Sequence, residues 1–420
     1  MKRLSLAWPV LAGDTAADAL VYVTLGWLAV QTGDLSASLV LAANTVPAIC
    51  LMLLGGAVSD RFGVVRTATW TTTTRAVVLA GFAALVSLGA TNAPTLLTMA
   101  LTLGIIDAVH QPSVYGLVGV LAEKGQQRSS QAMVVGVTRT VGVVGSIAGG
   151  ALIALHVELP LIVASGCLVV AALSATRVPR TLDAEDEEVG EDNEPSTIWQ
   201  MTREGLHAVR RDHVVVAVLL LFTVGNFAAT APLSLGIPFM ADRYEWSGAQ
   251  YGLVYAGFGV GQVLGGLGLV ALTRRGIIDE GRLGLGTAAG LLLPAAAFLG
   301  LLGSTTSPVL AAVAIAGTGL FLAPGASILM GFVRERTPDR FQGRVNGLIG
   351  LSITASIPLG MIVFGLLVQL RSVAFAITAC AGALGLGALC AAAGAARLSR
   401  TSSGQPREQI DRERSGTSPQ

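Results

Sequence analysis

A chain of 420 residues that is 52% hydrophobic and 13% charged, with mean hydropathy +0.68, carries more apolar surface than one globular core hides from water. The formal net charge of +1, with Lys2 and Lys124 as the only lysines, provides no basic tract for nucleic acid. Cys50, Cys167, Cys380 and Cys390 lie in apolar stretches without metal-ligand spacing, so they read as small buried hydrophobes, and neither a metal nor a cofactor is expected.

A bilayer core about 30 Å thick takes about 20 helical residues per crossing. In chain order, hydropathy and helix breakers predict spans near 7–31, 39–58, 67–89, 95–121, 131–155 and 159–176. Met1-Lys2-Arg3 and the apolar run behind it look like a signal peptide, but Asp14 and Asp18 interrupt the run, so an uncleaved first helix is expected. Residues 177–213 form a polar linker. Its acidic run Asp183 to Glu194 is expected to be disordered, and Ile198, Met201, Leu206 and Val209 recur at helical spacing between arginines, as in a helix lying on a membrane surface. Six further spans follow near 214–239, 248–272, 284–303, 308–332, 344–369 and 373–396, with 397–420 as a disordered tail.

The fold class is therefore an all-α membrane protein of twelve helices: six-helix bundles at 1–176 and 214–396, embedded in the lipid bilayer. The 52 glycines suit such packing, because small residues let helices approach closely in lipid. Basic residues concentrate in alternate loops, with only Arg243 and Arg371 on the other side, so both termini are expected in the cytoplasm. Gly55-Gly56 near the end of the second span and Gly265-Gly266 near the end of the eighth point to a duplication, a mark of secondary transporters.

The loop Gly56-Ala-Val-Ser-Asp60-Arg61-Phe-Gly63-Val-Val-Arg66 resembles the signature between helices two and three of the major facilitator superfamily. That resemblance implies a conformational-switch loop, in which Gly63 permits the reversal and Asp60 and Arg61 contact the other half. Span five, Gly142-Val-Val-Gly145-Ser-Ile-Ala-Gly149-Gly150, resembles the exporters' antiporter motif with Ser146 in place of proline. Span eight repeats the spacing with Gly257, Gly261 and Gly265, and the resemblance implies that helices five and eight pack across the halves. Thr32-Gly33-Asp34, Arg75-Ala76 and Thr337-Pro-Asp-Arg-Phe-Gln-Gly343 leading to Ile357-Pro358-Leu-Gly360 are similar to the drug, macrolide and enterobactin exporter branch.

Intramembrane ionisable residues are expensive, and here they are confined to the first half. Asp14 and Asp18 share one face of span one, and Asp18, Arg75, Asp107 and Arg139 reach similar depth. Three carboxylates against two guanidiniums leave one surplus negative charge, a place to carry a proton. Asp14, Asp18, Asp107 and His110 are the candidates for coupling, with Arg139 as partner of Asp107 and Asn226 as a substrate hydrogen-bonding group on span seven. For Arg75 the expectation is a static salt bridge or snorkelling on a peripheral helix. Asp14 has the alternative of merely reaching the interface. An apolar second half facing a charged first half suits an amphipathic, possibly cationic substrate.

The expected function is proton-coupled efflux of a small amphipathic molecule by a functional monomer in the plasma membrane. The Ala-, Gly- and Arg-rich usage points to a bacterium. Proton-coupled nutrient uptake is the alternative, and a non-transporting sensor on a transporter fold is a second. An ATP-driven pump is disfavoured because neither lysine lies in a phosphate-cradling loop, and no His-Glu-x-x-His pair or Gly-x-Ser-x-Gly elbow points to an enzyme.

Overall fold

The computed structural model describes residues 4–121, 127–178, 213–277, 283–337 and 339–403. The expected acidic run, the surface helix of the linker and the tail beyond 403 lie outside the described residues. The rest is helical, with no strand among the described residues. The first half comprises α1 (Leu4–Val30), α2 (Asp34–Phe62), α3 (Val64–Ser87), α4 (Ala93–Leu121), α5 (Gln127–Ile153) and α6 (Leu159–Ala175). The second comprises α7, which runs through His213–Ala231, Pro232–Gly236 and Ile237–Arg243, then α8 (Gly248–Arg274), α9 (Leu285–Ser304), α10 (Pro308–Arg336), α11 (Asp339–Leu370) and α12 (Val373–Ser403). The helical course of α12 thus continues past the boundary expected at residue 396.

Eight of these helices, α2, α4, α5, α7, α8, α9, α10 and α12, are long and apolar enough to cross a membrane. The others depart for visible reasons: α1 carries two aspartates, α3 is rich in threonine and holds Arg75, and α6 is only 17 residues long. In α11 the apolar part is the shorter stretch Ser356–Leu370. Large apolar side chains such as Trp70, Val77, Leu173, Leu264 and Val309 stand exposed on the outside, as lipid-facing side chains do. Cys50 and Cys390 are exposed as well, against the expectation of burial, whereas Cys380 is buried.

Tight links keep successive helices antiparallel. Gly63, at φ 84°, is the single residue between α2 and α3, a backbone setting that favours glycine. A capping box opens α8: the Ser247 hydroxyl accepts from Gln250 N at 3.3 Å, and the Gln250 side chain accepts from Ser247 N at 2.9 Å.

The two halves repeat one packing device. A proline inside a helix leaves the carbonyl four residues earlier without its usual partner. In α4 Pro112 does this to Ala108, and in α10 Pro324 does it to Leu320. A glycine of the neighbouring helix packs directly onto each freed carbonyl: Gly55 of α2 on Ala108, and Gly265 of α8 on Leu320. Both following glycines, Gly56 and Gly266, face open space. The same Gly–carbonyl–Pro arrangement thus recurs in equivalent helix pairs, at the two glycine pairs of the sequence.

The halves meet at the end away from the first residues of α1. There Gly150 of α5 lies against Gly248 and Gly252 of α8, Gly26 of α1 against Pro238 of α7, and Ser38 of α2 against Gly365 of α11. Tyr251, fully buried, donates from its hydroxyl to the Val23 carbonyl at 3.1 Å, and its ring lies 5.4 Å from that of Trp27. This seal closes one end of the space between the halves.

Candidate functional site

Two features meet at mid-depth: a charged cluster inside the first half and a cavity between the halves. The cluster is centred on Arg75, 3% exposed, near the middle of α3. Its Nη1 donates to Asp14 Oδ1 at 2.7 Å and its Nη2 to Asp18 Oδ1 at 2.5 Å. Its Nε lies 3.0 Å from Asp107 Oδ1, but the alignment is not that of a hydrogen bond, so both atoms are buried without a hydrogen-bond partner. One guanidinium is therefore shared by three carboxylates from α1 and α4. Helix α3 packs on α4 and α6 rather than on α1, so the length of Arg75 itself ties α3 to α1.

His110, one turn beyond Asp107 on α4, completes the cluster. Its Nε2 is 2.7 Å from Asp14 Oδ1, and its Nδ1 is 3.0 Å from the Thr71 hydroxyl on α3. That hydroxyl also lies 2.8 Å from the Thr67 carbonyl. A hydroxyl has one proton to donate. When Thr71 gives it to Thr67, Nδ1 must carry a proton of its own, and the short Nε2–Asp14 contact needs a second. When Thr71 turns to Nδ1, the His110–Asp14 pair holds only one. Rotation of one hydroxyl thus accommodates either of two proton counts.

The carboxylates differ in access. The side chains of Asp14 and Asp107 are 12% and 14% exposed, whereas that of Asp18 is 51% exposed and borders a recess of about 300 Å³. The recess shares Tyr22, Arg139 and Gln262 with the wall of a cavity of about 920 Å³. This larger space extends along α7 and α10, away from the seal, and is walled mainly by apolar side chains such as Phe222, Leu233, Phe258 and Leu322. Drug-sized ligand sites have such volumes and linings.

Helix α7 brings Asn226, Thr230 and Ser234 to the wall of this space. Proline at 232 widens the turn Pro232–Gly236 into a π-helical one. Ser234, in that turn, receives a hydrogen bond from Tyr22 of α1 and donates to the Thr230 carbonyl at 2.8 Å. Tyr22 also packs against Tyr255 of α8, their ring centroids 5.7 Å apart.

The sequence-predicted residues separate into groups. Asp14, Asp18, Asp107 and His110 come together, and Asp14 is buried in the cluster rather than at the interface. Arg139 does not pair with Asp107, which lies beside Arg75 of α3, while α5 packs on α1 and α8. Arg139 instead donates across the halves to Gln262 of α8. Asn226 lines the cavity, with its amide bonded back to the Phe222 carbonyl at 3.0 Å. Around the turn between α2 and α3 Arg61 and Arg66 are exposed and Arg61 lies over the Phe62 ring; the side chain of Asp60 is outside the described set.

Gly145 and Gly149 pack on Ala19, Leu20 and Val23 of α1, and Gly150 alone of the three meets α8. Gly257, Gly261 and Gly265 face α10, while α8 meets α5 through Gly248 and Gly252. Arg75 makes the salt bridge expected of it, but with three carboxylates at once, while Thr71 and the tyrosines are not among the residues the sequence singles out. Thr67, Thr71 and Arg75, spaced by four on one helix face, were the available signal. Among the described residues, no group of three His, Cys, Asp or Glu is arranged to hold a metal ion.

The model of the Major Facilitator Superfamily matches residues 7–298 and 226–418. No curated protein matches the sequence. Among solved structures, the nucleoside transporter NupG is similar at TM-score 0.69 and 14% identity, covering 94% of this chain and 99% of its own. A bacterial homologue of the iron transporter ferroportin, in an inward-facing state, is similar at TM-score 0.67 and 15% identity, covering 93% and 97%. The xylose transporter XylE from E. coli, in an inward open conformation, gives TM-score 0.66 and 13% identity, covering 93% and 94%. At these identities the likeness is one of fold.

Proposed function

Because the chain belongs to the major facilitator superfamily and has its transporter fold, we propose that it is a proton-coupled exporter of a small amphipathic drug-like or natural-product molecule. We place it in the drug and siderophore exporter branch, acting as a monomer in a bacterial plasma membrane with both termini in the cytoplasm. The loop basic residues support that orientation. The cavity between the halves then opens toward the cytoplasm, and the seal of α5 on α8 and α2 on α11 faces outward.

The observation that carries the reading is one buried arginine shared by three carboxylates, only one of which reaches the cavity. Asp18 exchanges its proton with the cavity water. Protonated, it loses its charge-assisted bond to Arg75. The guanidinium then turns toward Asp107, whose Oδ1 has no hydrogen bond. Helix α1 carries both aspartates and also Val23, Gly26 and Trp27 at the seal, so a change in what holds α1 is felt where the halves close. Branch membership is supported by the span-five glycine motif and the Thr337 to Gly360 segment.

Everted membrane vesicles with an acidic interior test this. Addition of an exported compound from an amphipathic-drug panel is expected to dissipate the pH gradient, and the D18N and D107N proteins lose that response. Compounds that acidify the interior of vesicles without an imposed gradient mark proton symport and hence uptake. Undiminished proton exchange in both variants refutes the role of the cluster.

A further inference from the structure

We infer that the ligand is an amphipathic organic anion, its carboxylate, sulfonate or phosphate group held by Arg139 and its apolar body lying along α7 and α10. The inference deepens the transport reading and rests on it. Its ground is a difference between the two arginines at mid-depth. Arg75 is enclosed and meets three carboxylates. Arg139 has no carboxylate within 4 Å among the described residues, and its hydrogen bond goes to the neutral Gln262. A guanidinium is always charged and has five N–H donors, so Gln262 leaves most of them unused.

The setting makes this charge count. Arg139 is exposed toward the cavity, and apart from tyrosines it is, among the described residues, the only ionisable one on the wall of the 920 Å³ space. The remaining wall is largely apolar, so a solute there meets one uncompensated positive charge at one end and aliphatic and aromatic side chains along its length. The fork geometry of guanidinium matches a carboxylate, sulfonate or phosphate in a two-point bond, and Gln262 holds that fork in place from the opposite half. The Tyr22 and Tyr255 rings flank the same corner. Asp18 borders the adjoining recess but makes no ion pair with Arg139, its Oδ1 being bonded to Arg75. The assignment is opposite in sign to a cationic cargo, which counting charges along the first half suggests.

Two dyes with one xanthene skeleton test it: fluorescein, an anion with a free carboxylate, and rhodamine 123, a cation whose carboxylate is esterified. Binding is read by fluorescence anisotropy with the full-length protein in phosphatidylcholine nanodiscs, with no proton gradient, so loss of coupling in D18N leaves the result standing. Wild type is expected to bind fluorescein more tightly than rhodamine 123. R139Q weakens fluorescein by about tenfold or more, R139K recovers part of it, and rhodamine 123 is unchanged or improved. Arg139 faces open space, and a melting curve matching wild type certifies each variant. A wild type that binds neither dye, prefers rhodamine 123, or keeps fluorescein within twofold in R139Q overturns the inference. Soluble dihexanoylphosphatidylglycerol is expected to leave the dye bound. Displacement by it at a potency matching the dye's own assigns the site to a lipid headgroup and overturns the free-anion class.

Discussion

The two halves share a packing plan and differ in chemistry. Each sets a glycine on a proline-freed carbonyl, Gly55 on Ala108 and Gly265 on Leu320, so each pair of helices approaches equally closely. Yet the first half encloses Arg75, Asp14, Asp107 and His110 at its centre, and the second encloses apolar side chains such as Leu292, Leu299, Phe364 and Leu384. A six-helix bundle of this kind therefore needs no buried charge to form. The charges of the first half are an addition to the plan, and they sit where α1 links the cavity to the seal.

The largest expected effect breaks the comparison at its charged side. Arg75→Leu leaves three carboxylates around an apolar side chain, and removing one partner of a buried ion pair costs about 3–5 kcal/mol. Thermal unfolding in detergent is expected to show this as a large loss of melting temperature, partly restored in the R75L/D14N/D107N protein. A variant that melts with wild type means that the cluster does not hold α1, α3 and α4 together.

A smaller effect tests the shared plan. Gly55→Ala and Gly265→Ala each drive a methyl into a backbone carbonyl and are expected to destabilise by about 1–3 kcal/mol, by similar amounts. Gly56→Ala and Gly266→Ala, which face open space, are expected to be near neutral. Unequal costs in the two halves, measured on the same melting curves, would show that the repeat is geometric only.

The smallest effect sharpens the contrast in polar groups. Thr71→Val removes the hydroxyl facing His110 Nδ1, at a cost of about 1 kcal/mol, and is expected to change the pH profile of proton exchange in vesicles. Asn226→Ala removes an amide bonded only to its own helix, and is expected to move stability by about 0.5 kcal/mol or less and leave the pH profile unchanged. Equal pH profiles for both variants separate Thr71 from proton handling.

Much of the architecture was legible in the residues themselves. Twelve helices, six on each side of a polar linker, follow from spacing of apolar runs, because a bilayer dictates the length of each crossing and forbids unpaired backbone. Asp14, Asp18, Asp107 and His110 were legible as a group for a related reason: ionisable side chains in lipid are costly enough to stand out singly. For Arg75 a salt bridge was legible but its three partners were not, since its helix packs on α4 and α6 and only the length of the side chain brings it to α1. The signal in its threonine row was a face of a helix, and a face acquires meaning only from its neighbour.

The sequence by itself determined the number of helices, where the charges lie along each, and that they fall into two bundles of six. These depend on local periodicity and on the cost of polar groups in lipid, both of which act residue by residue. Tertiary structure alone decided which arginine answers which carboxylate, that Gly257, Gly261 and Gly265 serve α10 while Gly248 and Gly252 serve α5, and that Arg139 is left facing the cavity. Rotation of a helix about its axis settles such pairings, and in a span polar or small on more than one side that rotation is fixed by the helices around it.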